Sequence, residues 1–74
     1  MNEKSIQIPA EGSIGIYLSD QDVAKTLSLS TAWVRKQRHL RNRGHSHVLS
    51  IDPVYIGSSP RYRYADFNEW LESL

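Results

Sequence analysis

Seven of the nine lysines and arginines in this 74-residue chain fall between positions 35 and 63: Arg35, Lys36, Arg38, Arg41, Arg43, Arg61 and Arg63. The only acid in that window is Asp52, although the net charge of the whole chain is just +1. The asymmetry therefore lies in placement, and a concentrated positive stretch is what a polyanion-binding face requires. A solvated helical face accounts for any one of these charges taken singly; the constellation favours the polyanion. Other chemistry has less support. His45-Ser46-His47 invites a metal reading, yet two histidines without cysteine, with Asp52 the sole loop acid, make a poor zinc site. No nucleophile elbow, phosphate loop or helical His-Glu motif is present, so neither catalysis nor a cofactor is expected.

The first of these charges must be carried by a helix. Leu18 to Leu40 reads as two short helices joined by a tight turn. Ser19 with Asp22 three residues on makes a capping box, and Leu18 can staple to Val23. The first helix is expected over Asp20 to Leu27, with Val23, Ala24 and Leu27 on one face and Asp20 and Asp22 at the positive end of its dipole. Ser28-Leu29 forms the turn, with Leu29 expected to plug the space between the helices. Ser30 caps the second helix. At about 100° per residue, Trp33, Val34, Gln37 and Leu40 gather on a core side. Thr31, Ala32, Arg35, His39 and Asn42 point away, flanked by Lys36, Arg38 and Arg43. Arg41 rotates back toward the core side, so the helix is expected to end near Leu40 to Asn42, before Gly44.

Residues 44 to 53 read as a long connector in which Val48, Leu49 and Ile51 suit a short extended segment. Val54-Tyr55-Ile56 and Arg61-Tyr62-Arg63-Tyr64 then alternate around Gly57-Ser58-Ser59-Pro60, which predicts a β-hairpin. Arg61 and Arg63 share one face; Tyr62 and Tyr64 share the other, toward the core. Ala65 to Leu74 closes as a helix whose stripe of Phe67, Trp70, Leu71 and Leu74 covers the core. Its N-cap is poor, with Asp66 and Glu69 compensating through the dipole.

The length allows one small domain, burying roughly 60% of its unfolded surface. With no cysteine, disulfides and thiolate metal sites are excluded, which fits a reducing, cytoplasmic setting. No segment approaches the roughly 20 apolar residues of a membrane span. Residues 1 to 16 are expected to form an N-terminal arm, either a mobile tail or one with a short strand over Ser5 to Ile8, leaving residues 17 to 74 as the domain.

The order helix, turn, basic helix, connector, hairpin, helix resembles the AlpA-like and excisionase-like winged helix-turn-helix proteins of phages and prophages, relatives of the MerR DNA-binding domain. The matching residues are Leu18-Ser19, Asp22-Val23-Ala24, Leu27, Leu29-Ser30 and Val34. Pro53, Ile56-Gly57, Arg61-Tyr62, Asp66-Phe67 and Trp70-Leu71 follow in the same order. Two departures stand out: Ser28 replaces the usual turn glycine, and the connector through His45 and His47 is longer. The resemblance implies a mostly α fold with a small β-hairpin and double-stranded DNA as partner. The second helix would enter the major groove while the hairpin serves as a wing on the flanking backbone. Thr31, Ala32, Arg35 and Lys36 would then approach bases or nearby phosphates, and Arg61 and Arg63 would serve the wing.

The physics of the groove points the same way. Arginine pairs with guanine N7 and O6 in a bidentate manner, which makes Arg35 the best base reader, and small Thr31 and Ala32 suit a thymine methyl. Lys36, Arg38, Arg41, Arg43, Arg61 and Arg63 suit phosphates. His39 fits either a DNA contact or an exposed spectator. Trp33 and Trp70 suit core packing better than base stacking. The expected function is a transcriptional regulator or recombination directionality factor of phage or prophage type, in the bacterial cytoplasm or nucleoid. It would gain specificity by self-association or cooperative binding on repeated sites, with a recombinase or polymerase as a further partner. Two other readings stay open: a DNA-packaging module like the terminase small subunit or a replication accessory, and a winged-helix protein-interaction module.

Overall fold

A computed structural model describes residues 16 to 74; the expectation of an N-terminal arm with a strand at Ser5 to Ile8 lies outside them. Among the described residues the elements run β1 (Tyr17–Leu18), α1 (Asp20–Leu27), α2 (Thr31–Asn42), β2 (Val54–Ile56), β3 (Ser59–Arg63) and α3 (Tyr64–Glu72). The three strands form one antiparallel sheet in the order β1-β3-β2. The result is a small α+β domain, with one strand more than the expected hairpin.

The caps form as their sequences dictate. Ser19 Oγ accepts from Asp22 N–H (3.1 Å) while Asp22 Oδ2 accepts from Ser19 N–H (2.9 Å), closing the capping box of α1. Both α1 and α2 stop in the same way. Leu29 N–H donates to Ala24 O and Ser28 N–H to Lys25 O; His45 N–H donates to Leu40 O and Gly44 N–H to Arg41 O. Each is a Schellman closure around a left-handed residue, Ser28 (φ 59°) in one and Gly44 (φ 75°) in the other. Leu29 therefore does not plug the interhelical space: the turn carries it outward and leaves it 47% exposed.

In the hairpin, Ile56 pairs with Ser59, so the loop is only Gly57-Ser58, shorter than the expected four residues. Gly57 has φ +66° whereas Ser58 does not have positive φ, the sign pattern of a type II′ turn. The register also explains why Pro60 is tolerated within β3. Its missing N–H lies at a position that points away from β2, beyond the short reach of β1. Tyr64 was expected on the core face of the strand. It is instead the first residue of α3 and partly exposed, and its N–H donates to Ile16 O at 2.8 Å. Leu74 lies past the end of that helix and is 77% exposed rather than part of the core stripe.

The core comprises Leu18, Val23, Ala24, Val34, Leu49, Ile51, Tyr62 and Phe67, with Leu27, Trp33, Trp70 and Leu71 packed against it. Leu49 and Ile51 come from the connector, which forms no strand. Gln37, buried on α2, holds that connector: its Oε1 accepts from Val48 N–H (2.6 Å) and Leu49 N–H (3.2 Å). Trp70 Nε1–H donates to Val48 O (3.2 Å) from the other side.

Replacing Gln37 by methionine of similar size leaves two amide donors without their acceptor. Such a loss costs about 1–3 kcal/mol per buried donor, so Gln37→Met is expected to lower the unfolding free energy by about 2 kcal/mol, read as a lower urea midpoint. Ser28→Gly is expected to act in the opposite direction. Relief of a left-handed serine outweighs the added freedom of the unfolded chain by about 0.5 kcal/mol, whereas Ser28→Val lowers stability by more than about 1 kcal/mol.

Candidate nucleic-acid interface

Ser30 starts α2 by accepting Trp33 N–H on its Oγ at 3.0 Å. Unlike α1 and α3, this helix has no acid in its first turn, so no carboxylate neutralises the positive end of its dipole. Its inner face carries buried Val34 and Gln37, with Trp33 and Leu40 half-buried. Opposite runs an exposed stripe of Ala32, Arg35, Lys36, His39 and Asn42, with exposed Arg43 just past the end and Thr31 half-buried at the start. The spacing of three and four residues keeps the stripe on one side for the whole helix.

The six basic residues suited to phosphates do not behave alike. Arg38 turns inward and is a correction to its expected place beside the outer face. Nη1 and Nη2 donate to Asp20 Oδ1 (2.6 Å) and Oδ2 (2.9 Å), and Nη1 also donates to the Tyr62 hydroxyl (3.3 Å). The two charged side chains retain only 14% and 13% of their exposure. Arg38 thereby joins the start of α1, the middle of α2 and the central strand β3. The bond to Asp20 raises the Arg38 pKa well above its usual value, and burial raises that of Tyr62. Arg35 shares only the edge of this arrangement, with Nε 4.0 Å from Asp20 Oδ2 and 66% of its side chain exposed.

Arg41 is likewise engaged within the protein. Its Nε and Nη2 donate to Asp52 at 2.7 and 3.2 Å, holding that carboxyl below the usual range, and its Nη1 meets His47 Nε2 at 3.0 Å. With His47 Nδ1 2.8 Å from His45 O, the consistent assignment has Nδ1–H donating and Nε2 accepting. Both ring nitrogens therefore already have protein partners. Rotation of Arg41 off the outer face was legible in the sequence; its grip on the connector was not. The helix ends at Asn42, within the expected range.

On the sheet, the register puts Arg61 and Arg63 on one face of β3 and Tyr62 on the other, buried. Arg61 is half-buried and its Nη1 donates to the neighbouring Pro60 O at 2.8 Å; Arg63 is exposed. Among the described residues, no acid lies within ion-pair distance of Lys36, Arg43, Arg61 or Arg63. The acids collect elsewhere: Asp52, Asp66 and Glu69 line a groove of about 420 Å³ beside Trp70, which no outer-face residue of α2 touches. Among the described residues no helix is long and apolar enough to cross a membrane.

The pairing of Asp20 with Arg38 is the contact at this site that sequence reading missed. The place of Asp20 after an N-cap explains it as a dipole acid, and its partner lies 18 positions away, beyond any local pattern. No family model, curated protein or solved structure matches the chain.

These placements separate framework from surface. Asp20→Ala strands Arg38 in a largely buried setting and is expected to cost about 3 kcal/mol. Lys36→Ala and Arg43→Ala are expected to stay within about 0.5 kcal/mol of the parent. Chemical denaturation of the three variants checks the contrast.

Proposed function

We propose that this protein binds double-stranded DNA as a winged helix-turn-helix regulator, with α2 in the major groove and the β2–β3 hairpin as its wing. The observation that carries this reading is the acid-free, exposed stripe of Ala32, Arg35, Lys36 and His39 along α2, continued by Arg43. A helix fits the major groove of B-DNA, and Arg35 there can reach guanine O6 and N7. Thr31 and Ala32 at the helix start are small enough to let the backbone approach. Lys36 and Arg43 meet phosphates on one side, and Arg61 and Arg63 on the sheet meet those flanking the site. Arg38 and Arg41 serve the framework and leave the set of direct contacts.

The sequence resemblance to AlpA-like and excisionase-like proteins extends the proposal to transcriptional control or recombination directionality of phage or prophage type. One such module covers a short site. Repeated sites, cooperative binding, or a recombinase or polymerase partner would supply the remaining specificity.

Selection from random duplexes followed by fluorescence anisotropy tests the reading. With four phosphate-directed cations, log Kd against log salt is expected to have a slope of about 4 in magnitude. The double variant R35A/K36A is expected to lose selected-site binding by about 100-fold or more while melting within a few degrees of the parent. Absence of salt-dependent duplex binding by the parent protein overturns the proposal.

A further inference from the structure

We propose that Asp20 is a positioning residue for Arg35, holding it ready for guanine and so setting sequence discrimination without itself touching DNA. The inference rests on the DNA-binding reading and assigns Asp20 a role within it beyond the framework pairing with Arg38. Asp20 is fixed from two sides. It begins α1 immediately after the capping-box serine, and both its oxygens accept from Arg38 at 2.6 and 2.9 Å. A carboxylate so anchored cannot follow a mobile neighbour outward.

Arg35 is that neighbour. Its Nε is the atom that comes within 4.0 Å of Asp20 Oδ2, while 66% of the side chain stays exposed. The contact is made through one edge of the planar guanidinium. The terminal amines, which can span guanine O6 and N7, therefore lie farther from the carboxylate. Two consequences follow from the shared geometry. The Asp20 charge is already engaged by Arg38, so Arg35 keeps most of its attraction for DNA. Its rotamer freedom is nonetheless narrowed before binding, which reduces the ordering cost paid on association. Lys36, the adjacent residue, has no acid within ion-pair distance among the described residues. A flexible point charge of that kind suits a phosphate, whereas an oriented fork suits a base edge.

The experiment compares the parent, D20N and the neutral double variant D20N/R38Q, which leaves neither member of the ion pair as a lone buried charge. Each is titrated with the selected duplex, the same duplex carrying 7-deazaguanine at the guanine that depends on Arg35, and a mixed-sequence duplex of equal length. In the parent, 7-deazaguanine is expected to weaken binding by about 10-fold. In both variants that ratio is expected to fall to about 2-fold or less, with mixed-sequence affinity unchanged or higher. A purely structural role would weaken all three duplexes together. Discrimination retained in a folded variant overturns the inference. A second measurement needs no DNA: the Arg35 Nε–H order parameter by NMR relaxation is expected to drop in D20N/R38Q, and an unchanged value also overturns it. Failure of the parent to bind any duplex would instead remove the DNA reading, and this role with it.

Discussion

Asp20 and Arg38 stand 18 residues apart in sequence, and their charges meet at 2.6 and 2.9 Å where the start of α1 lies against α2. The Tyr62 hydroxyl on β3 accepts a further bond from the same guanidinium at 3.3 Å. A desolvated arginine is costly unless its donors are met, so one side chain obliges three elements to keep a fixed spacing. The exposed basic face of α2 and the basic face of β3 lie on two of those elements. Their relative placement therefore depends on an interaction that neither face displays.

The same principle organises the connector. A loop of eleven residues, 43 to 53, is long for a domain of this size, and its polar backbone needs partners wherever it is buried. Gln37 and Trp70 supply them from α2 and α3, and Arg41 fixes Asp52 and His47 from the helix end. Leu49 and Ile51 can then enter the core without a strand to carry them. The division of the basic residues follows: those that rotate inward, Arg38 and Arg41, hold the framework, and those that rotate outward, Arg35, Lys36 and Arg43, stay exposed.

Local signals were sufficient for much of this architecture. The Ser19–Asp22 box, the Ser30 cap and Gly44 past the end of α2 act within a few residues, and each marks an element boundary that forms where expected; Gly57 likewise ends β2, though its loop is two residues shorter than expected. Helical rotation likewise separated buried Val34 and Gln37 from exposed Arg35, Lys36 and His39. One error arose from a distant partner and another from the geometry of a local turn. Tyr64 alternates properly for a strand, yet its N–H is drawn to Ile16 O and the chain turns into α3 there. Leu29 is apolar enough for the core, but the left-handed Ser28 closes α1 in a geometry that carries it outward.

By itself, then, the sequence determined the helices, the hairpin and the positive character of one stretch, because caps, turn residues and periodicity are local physical preferences. Only the tertiary structure decided which positive charges remain available. Arg35 and Arg38 are the same residue type on one helix, three positions apart, and rotation places them near each other. What distinguishes them is Asp20: it engages Arg38 through both oxygens and meets Arg35 at one edge. That difference is made by two chain segments meeting in space, a long-range electrostatic pairing that no local pattern encodes. The third strand has the same origin, since Tyr17–Leu18 is too short to read as a strand until β3 lies beside it.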